Sequence, residues 1–502
     1  MIDGAKPFLG MRAGGLRPYP AYRDSGVEWL GRVPEHWEVR RLKGLAKILN
    51  GATPASGRRE YWGGDILWLT PEDLGRLRGR DIRQSRRSIT RVGYESCGST
   101  LAPVGSTVMS TRAPIGHLAI LGREGCTNQG CRLLVPENDA VVPEWVYLGL
   151  LTARSELQAL GQGTTFAELS RDALGAFALS LPPLSEQTAI ARFLEAADRR
   201  IRRYIRAKER LVELLEERKR ALIHEAVTGR IDVRTGQPYP AYKDSGVEWL
   251  GKVPEHWGVV PLGRIAVARC DGPFGSGLKS SHYMDRGVRV VRLQNIGHGE
   301  FRNDDSAFIS AEHYSTLGDH SVVPEDILIA GLGDRNHPAG RACVAPRDIG
   351  PTMVKADCFR FRLDRSQALP RFVALQLTAT ALGAAGLSRG ATRQRINLSG
   401  TAGRRITLPT IQQQKSIIEY VTREIVSTSM LQGNAERQIA LLREYRTRLI
   451  ADVVTGKLDV REAAARLPET DPLAGDRDRA DPIRTESNLH STAHDMMKEA
   501  SA

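Results

Sequence analysis

No stretch of this chain approaches the roughly 20 consecutive apolar residues that a bilayer-spanning helix requires, so no transmembrane segment is expected. The N-terminal MIDGAKPFLGMRAGG lacks the apolar core of a signal peptide. Cysteine is scarce, 6 in 502 residues with no CxxC, which excludes a disulfide scaffold. Only Cys126 and Cys131 lie close together, at a spacing no common zinc site uses. They read as reduced, buried or incidental thiols of a cytoplasmic protein, and no metal site is expected. The Asn- or Asp-led Pro-Pro-aromatic motif of amino-methyltransferases is missing, since the one Pro-Pro, Pro182–Pro183, sits in SLPPLSE. PFGSG at Pro273–Gly277 echoes a nucleotide-binding glycine loop but has no uninterrupted apolar strand before it. No carboxylate cluster with a following lysine offers itself to Mg²⁺. Catalytic residues are therefore expected to be none.

What the chain does have is positive charge. The formal net charge is +13, and it is uneven. Residues 462–502 hold nine acids against five bases, a net of −4, so residues 1–461 carry +17. A basic body of this size suits a polyanionic partner, either nucleic acid or an anionic membrane surface. A hydrophobic content of 41% supports packed cores, and the length suggests roughly three units.

The chain is also written twice. Residues 18–39, PYPAYRDSGVEWLGRVPEHWEV, return at 238–259 as PYPAYKDSGVEWLGKVPEHWGV, an offset of 220 with three differences. A second match runs at offset 227. CRLLVPE from Cys131 falls on CFRFRLD from Cys358, GTTFAELS from Gly163 on GATRQRIN from Gly390, and LPPLSEQ from Leu181 on LPTIQQQ from Leu408. LIHEAVTGRIDVR from Leu222 likewise falls on LIADVVTGKLDVR from Leu449. Between the matched blocks lie residues 40–130 and 260–357, where the copies diverge. A duplicated frame with divergent inserts is expected if each half recognises something different.

Each half then breaks into short apolar runs separated by Gly, Pro and Asn, which predict strands. These are 65–70, 106–114, 117–121 and 131–136 in the first half, and 288–296, 326–334, 342–346 and 358–363 in the second. A helix is predicted after Val142 and another after Leu369. The segments after Leu184 and Ile411 carry coiled-coil seams for about five heptads. The first seam reads Ile190, Leu194, Ala197, Ile201, Tyr204, Lys208, Leu211, Leu215, Arg218 and Leu222. The second reads Ile418, Val421, Ile425, Thr428, Gln432, Ala435, Ile439, Leu442, Arg446, Leu449 and Val453. Gly229 and Gly456 are predicted helix stops. The expected fold is mixed α/β globules with two long helices, paired antiparallel because the repeat imposes internal two-fold symmetry.

With PxHWxxxxL at Pro34–Leu42 and Pro254–Leu262, STRAPIGHLAI at Ser110–Ile120, TNQGCRLLVP at Thr127–Pro136, DGPFGSGLKSSHY at Asp271–Tyr283 and LPPLSEQ at Leu181–Gln187, the chain resembles the specificity subunits of type I restriction-modification systems. The resemblance covers about residues 18–460. It implies two target-recognition domains, at 18–182 and 231–409, each followed by a spacer helix, at 183–230 and 410–456. A flexible leader (1–17) and a disordered acidic tail (457–502) are expected to flank them. It further implies a non-catalytic subunit that reads a bipartite, asymmetric target in double-stranded DNA, with the helix pair setting the unread gap. The implied partners are methyltransferase subunits, two in number, and restriction translocase-nuclease subunits. S-adenosylmethionine, Mg²⁺ and ATP would then belong to those partners.

Candidate DNA contacts follow from side-chain chemistry. The stretch 75–91 carries Arg76, Arg78, Arg80, Arg83, Arg86, Arg87 and Arg91 with one acid, Asp81, so its charges are not expected to neutralise each other. Arginine forks onto phosphate or onto guanine O6/N7, and Asn and Gln bond adenine bidentately. Arg112, Asn128 and Gln129 are base-edge candidates in the first half. Lys279, Arg292, Gln294, Asn295, Arg335 and Asn336 are those of the second. Arg389, Arg393 and Arg395 lie in the shared frame and are expected to grip phosphates. Trp29, Trp37, Trp249 and Trp257 repeat too faithfully to read bases and are expected in the core or at a subunit contact. His36 and His256 are expected to be buried structural residues. Two rival readings stay open: a stand-alone methyltransferase or nuclease, and a coiled-coil scaffold without a DNA role.

Overall fold

A computed structural model of the chain describes residues 16–77, 79–137, 140–162, 167–334, 336–381 and 394–468. The chain divides into two compact units, one of Met1–Arg206 with Ile439–Ala502 and the other of Ala207–Gln438.

In the first unit the Pro- and Trp-rich motif forms a hairpin, Tyr22–Asp24 antiparallel to Arg32–Pro34. Glu38–Arg41 then pairs with Ala178–Leu181, joining the start of the globule to its end. Between these lies a five-stranded sheet in the order Ala46–Asn50, Cys131–Pro136, Thr107–Ser110, Leu118–Leu121, Asp81–Ile82. A three-stranded sheet, Gly125–Thr127, Trp62–Leu69, Ser88–Ile89, stands beside it. The central strand Cys131–Pro136 is apolar at Cys131, Leu133 and Leu134, all fully buried, as expected for a strand covered on both faces.

The second unit repeats the plan. Gly258–Pro261 pairs with Arg405–Leu408, and Cys358–Leu363 lies between Ala266–Cys270 and Ile327–Ala330. The correspondence reaches into the stretch where the sequences diverge. Trp62–Leu69 runs parallel to Gly125–Thr127, and Val288–Val291 runs parallel to Thr352–Val354. Divergence lies in edge strands and loops: Asp81–Ile82 edges the first unit's larger sheet only, while Tyr283–Met284 and Ser321–Val322 extend the second unit's smaller sheet only. Residues 111–117, linking two neighbouring strands, number seven, and their counterpart 331–341 numbers eleven.

The seams become helices Leu184–Thr228 and Ile411–Val454, of 45 and 44 residues. In the first unit Ile190, Phe193, Leu194 and Ala197 share a core with Leu449, Ile450 and Val453 and with Trp37 and Trp145. There the first helix leaves the strand Ala178–Leu181 and the second ends beside it, so the two run antiparallel. In the second unit Ala226 and Val227 pack with Ile417, Val421, Trp257 and Phe372. Every expected seam position of the second helix is buried or half-buried. The first seam holds as far as Lys208; beyond it Leu215 and Leu222 still face inward, but the alternate positions slip by one residue. Leu211 is 40% exposed and Arg218 is exposed, while Val212 and Lys219 turn inward. A straight helix advances 3.6 residues per turn, so a strict 3.5-residue spacing drifts off the contact line.

Both helices stop where the glycines stand. Gly229 and Gly456 have φ of +75° and +77°. Arg230 N–H bonds Glu225 O and Lys457 N–H bonds Asp452 O, each at 2.8 Å, the 6→1 closure of a Schellman end. A Cβ on Gly456 would lie 2.3 Å from Pro34 Cδ, and one on Gly229 would lie 2.5 Å from Pro254 Cδ. The chain past the second helix is ordered further than the tail expectation allowed. Residues 457–468 fold back with a short helix, Arg461–Ala465, because Val460 and Ala464 bury themselves in the first core. Residues 469–502 lie outside the described residues.

Candidate nucleic-acid interface

At one end of the first unit's central sheet, Asn50 lies opposite Arg132 and Ser110 opposite Cys131. The residues just beyond these strand ends, 51–53, 111–112 and 128–130, form a rim. Ala52 N–H donates to Thr127 O and Thr111 N–H to Gly130 O, both at 2.9 Å. Gly51 sits so close that a Cβ there would be 2.1 Å from the Asn128 carbonyl oxygen. Asn128 spends its Oδ1 on Gly130 N–H at 3.0 Å, shaping the turn. Exposed Gln129 accepts from Thr53 Oγ1 at 2.6 Å. Arg112 Nε donates to Glu168 Oε2 at 3.0 Å, and Arg132 Nη2 lies 3.9 Å from Glu168 Oε1. Burial pushes the Arg132 pKa down while Glu168 opposes that shift.

The second unit builds the same rim from other residues. Cys270 lies opposite Arg360 and Ala330 opposite Cys358. A Cβ on Gly272 would be 2.1 Å from the Lys355 carbonyl carbon. Leu332–Gly333 pairs with Gln394–Arg395, as Arg112 bridges to Glu168 in the first unit. Arg395 Nε donates to Asp357 Oδ1 at 3.1 Å, with Nη2 at 3.0 Å from the same oxygen. Lys355 and Asp357 stand where the first unit has Asn128 and Gly130. Arg395 stands where it has Glu168. Arg395, expected to hold phosphates from the shared frame, lies on this rim.

The arginine run does not form one unpaired face. Arg76 pairs with Glu72 at 2.7 Å, and Arg86 also pairs with Glu72. Arg80 lies 3.7 Å from Asp81 and 3.8 Å from Glu195, and Arg91 pairs with Glu95 at 2.7 Å. Arg87 stacks over Trp62, 3.5 Å from the ring centroid, and the stem of Arg83 covers Gly122. The expectation counted acids only inside the run, whereas Glu72, Glu95 and Glu195 come from outside it.

Of the second-half candidates, Asn295 is corrected outright. It is 1% exposed, its Nδ2 donates to Arg302 O at 3.0 Å and to Asp305 O at 2.8 Å, and its Oδ1 accepts Arg292 N–H at 2.8 Å. It holds a loop and has no edge left for a base. Arg292 and Gln294 both turn onto Asp305. Lys279 caps a short turn through His282 Nδ1 at 3.1 Å, and Asn336 N–H bonds Asp334 at 2.8 Å. Arg78, Arg335, Arg389 and Arg393 lie outside the described residues. Sequence reasoning missed Glu168, Asp357, Arg132 and Thr53. The signal for the first was present, since Glu168 and Arg395 occupy one column of the repeat with opposite charge.

Trp37 and Trp257 are buried, and Trp29 and Trp249 are half-buried. His36 and His256 are exposed, contrary to expectation, though His36 is tied at 2.7 Å to Glu186 and His256 at 2.8 Å to Gln413. Cys126 and Cys131 are buried free thiols, and burial pushes the Cys126 pKa up to about 11. Among the described residues no His, Cys, Asp or Glu group is placed to hold a metal, and no helix is long and apolar enough to cross a membrane.

Comparison with known proteins fits this doubled plan. Residues 34–211 match the family model for the type I restriction modification DNA specificity domain. The MjaIX specificity subunit of Methanocaldococcus jannaschii is 34% identical over 190 residues, 38% of this chain and 43% of that protein. The EcoBI specificity subunit of Escherichia coli is 22% identical over 352 residues, 70% of this chain and 72% of that protein. The matches to MjaIX and to the putative MjaX subunit of the same archaeon span less than half the length of those proteins, 43% and 46%. A chain in a solved structure described as "Structural basis underlying complex assembly and conformational transition of the type I R-M system" superposes with a TM-score of 0.64 at 16% identity, covering 85% of this chain and 99% of that one, which shows a shared fold. Residues 34–211 thus match a type I restriction modification DNA specificity domain, and by its motifs and twice-built fold the chain is similar to the specificity subunits of those systems.

Proposed function

We propose that this chain is the non-catalytic, DNA-reading subunit of a cytoplasmic restriction-modification complex, each unit reading one half of a bipartite, asymmetric double-stranded target. The observation that carries the reading is the contrast between frame and rim. The two units share strand order down to the central pairings, yet the rim residues differ in type and charge at corresponding positions. A stable frame with exchangeable rim chemistry suits two readers with different preferences, and the +17 carried by residues 1–461 supplies the attraction for a polyanion. Methyltransferase subunits, two of them, and restriction translocase-nuclease subunits are the partners this role calls for. S-adenosylmethionine, Mg²⁺ and ATP would be held by those partners.

The test is binding by the complex with its methyltransferase subunits at two salt concentrations, followed by methylation mapping. Neutralising about 6–10 phosphates loses roughly 10³–10⁵ in affinity between 50 and 200 mM salt, and a flat response would sink the reading. Exchanging residues 40–130 for the corresponding stretch of a relative is expected to change one half of the methylated motif and leave the other intact.

A further inference from the structure

We infer that Arg112 and Arg395 are specificity-determining residues, one for each half of the target, each held by a carboxylate in position to fork onto a guanine edge. The inference rests on the reading of the two units as DNA readers. Three observations carry it. First, both arginines lie on corresponding rims, beyond the same end of the central sheet, and both side chains are about half exposed, at 46% and 56%. Second, each is anchored through its Nε. Arg112 Nε donates to Glu168 at 3.0 Å and Arg395 Nε to Asp357 at 3.1 Å. A guanidinium held along its side edge keeps its end edge, Nη1 with Nη2, directed away from the carboxylate. That end edge is the pair of donors that matches guanine O6 and N7.

Third, the brace is rebuilt from different positions. In the first unit the arginine comes from the loop after Ser110 and the acid from the segment before the helix Arg171–Ala176. In the second unit the arginine stands in that later segment, at the column of Glu168, and the acid at the column of Gly130. Descent of a conserved ion pair from the ancestral repeat would have kept the positions. A braced arginine restored after both members moved points to a demand on the rim itself. A fixed guanidinium also loses less side-chain freedom on contact than a mobile one. Nε pairing with a carboxylate also occurs at Arg40 and Arg91, so it is the combination with a place on corresponding rims that sets Arg112 and Arg395 apart. Arg292 is engaged bidentately by Asp305 at only 28% exposure, and Arg76 and Arg86 share Glu72 on a different part of the unit.

The experiment uses full-length chain with its methyltransferase subunits and reads the methylated motif by sequencing. Arg112→Lys and Arg395→Lys keep the charge but remove the fork, and Glu168→Gln and Asp357→Asn loosen the brace. Arg112→Lys is expected to relax one G·C position in one half of the motif by about tenfold to hundredfold, and Arg395→Lys one position in the other half. Glu168→Gln and Asp357→Asn are expected to relax the same two positions more weakly, with thermal unfolding close to wild type. A motif unchanged in every variant, or an even loss of affinity across sequences, would make these arginines phosphate grips and overturn the inference. Relaxation of both positions within a single half would overturn it too. A wild-type complex with no two-part motif would instead break the reading on which the inference stands.

Discussion

The Ser180 hydroxyl donates to the carbonyl of Val454 at 3.0 Å, deep in the first core and 274 residues away in sequence. The second unit makes the same bond between Thr407 and Val227 at 3.1 Å. Both members of the pair are displaced by 227, one forward and one back. Each globule thus fastens to its last strand the end of a helix that began in the other half of the sequence.

Because these hydroxyls are buried, removing one leaves a helix-end carbonyl short of a donor. Ser180→Ala is expected to cost about 1–2 kcal/mol, read as a lowered urea midpoint. Thr407→Val is expected to cost less, since Gln376 Nε2 also donates to Val227 O at 2.8 Å. Equal losses at the two sites would show that the second donor carries no weight.

The two halves part at the start of the long helices. Glu186 collects Trp37 Nε1 at 3.0 Å, Tyr19 OH at 3.2 Å and Arg461 Nη1 at 3.3 Å, besides His36. Its counterpart Gln413 is spent locally, its Oε1 accepting from Thr410 N–H at 3.3 Å in a capping arrangement. The first half has Pro183 at the Thr410 position, with no N–H to offer, so Glu186 turns inward. Trp257 Nε1, left behind, is buried without a partner. Glu186→Gln is expected to destabilise the protein by about 1–3 kcal/mol. Gln413→Ala removes a cap and an exposed hydrogen bond to His256 and is expected to cost about 1 kcal/mol. Chemical denaturation of both variants checks the order, and the reverse ranking would refute the account.

Much of this was legible beforehand because the signals were local or repeated. The central strands came from apolar runs, the helices from heptads, and the helix stops from Gly229 and Gly456. The parallel pairing of Trp62–Leu69 with Gly125–Thr127 was not legible, since parallel partners sit far apart and carry no turn between them. Nor were the partners of the arginine run. Glu195 meets Arg80 only because the first long helix passes that edge, which no window of sequence records. Asn295 was misread for the same reason. Its amide looks free in sequence, and only the return of Arg302–Asp305 buries it.

That misreading yields its own prediction. Asn295→Ala leaves Arg302 O without its side-chain donor and Asp305 O with only Arg289 Nη2, and is expected to lower stability by about 1–3 kcal/mol. The methylated motif should not change. Motif mapping beside a melting curve separates the two roles, and a relaxed base position at unchanged stability would restore Asn295 as a base reader.

The helix stops offer the sharpest contrast in expected cost. Gly456 combines a left-handed φ of +77° with a Cβ position 2.3 Å from Pro34 Cδ and 3.0 Å from Trp37 Cζ3. Alanine there must bear the backbone penalty of about 1–2 kcal/mol and must also push the repeated Pro-Trp motif off the core. Gly236 has nearly the same backbone, φ +71°, but nothing within 4 Å of the added carbon. Gly236→Ala is therefore expected to cost about 1–2 kcal/mol, from backbone strain alone. Gly456→Ala is expected to cost about 2–5 kcal/mol, adding overpacking to that strain. The difference between the two midpoints in one denaturant series isolates the close approach from the conformation. Matching costs would mean that the Pro34–Trp37 contact yields freely and does not fasten the end of the second helix to the first unit.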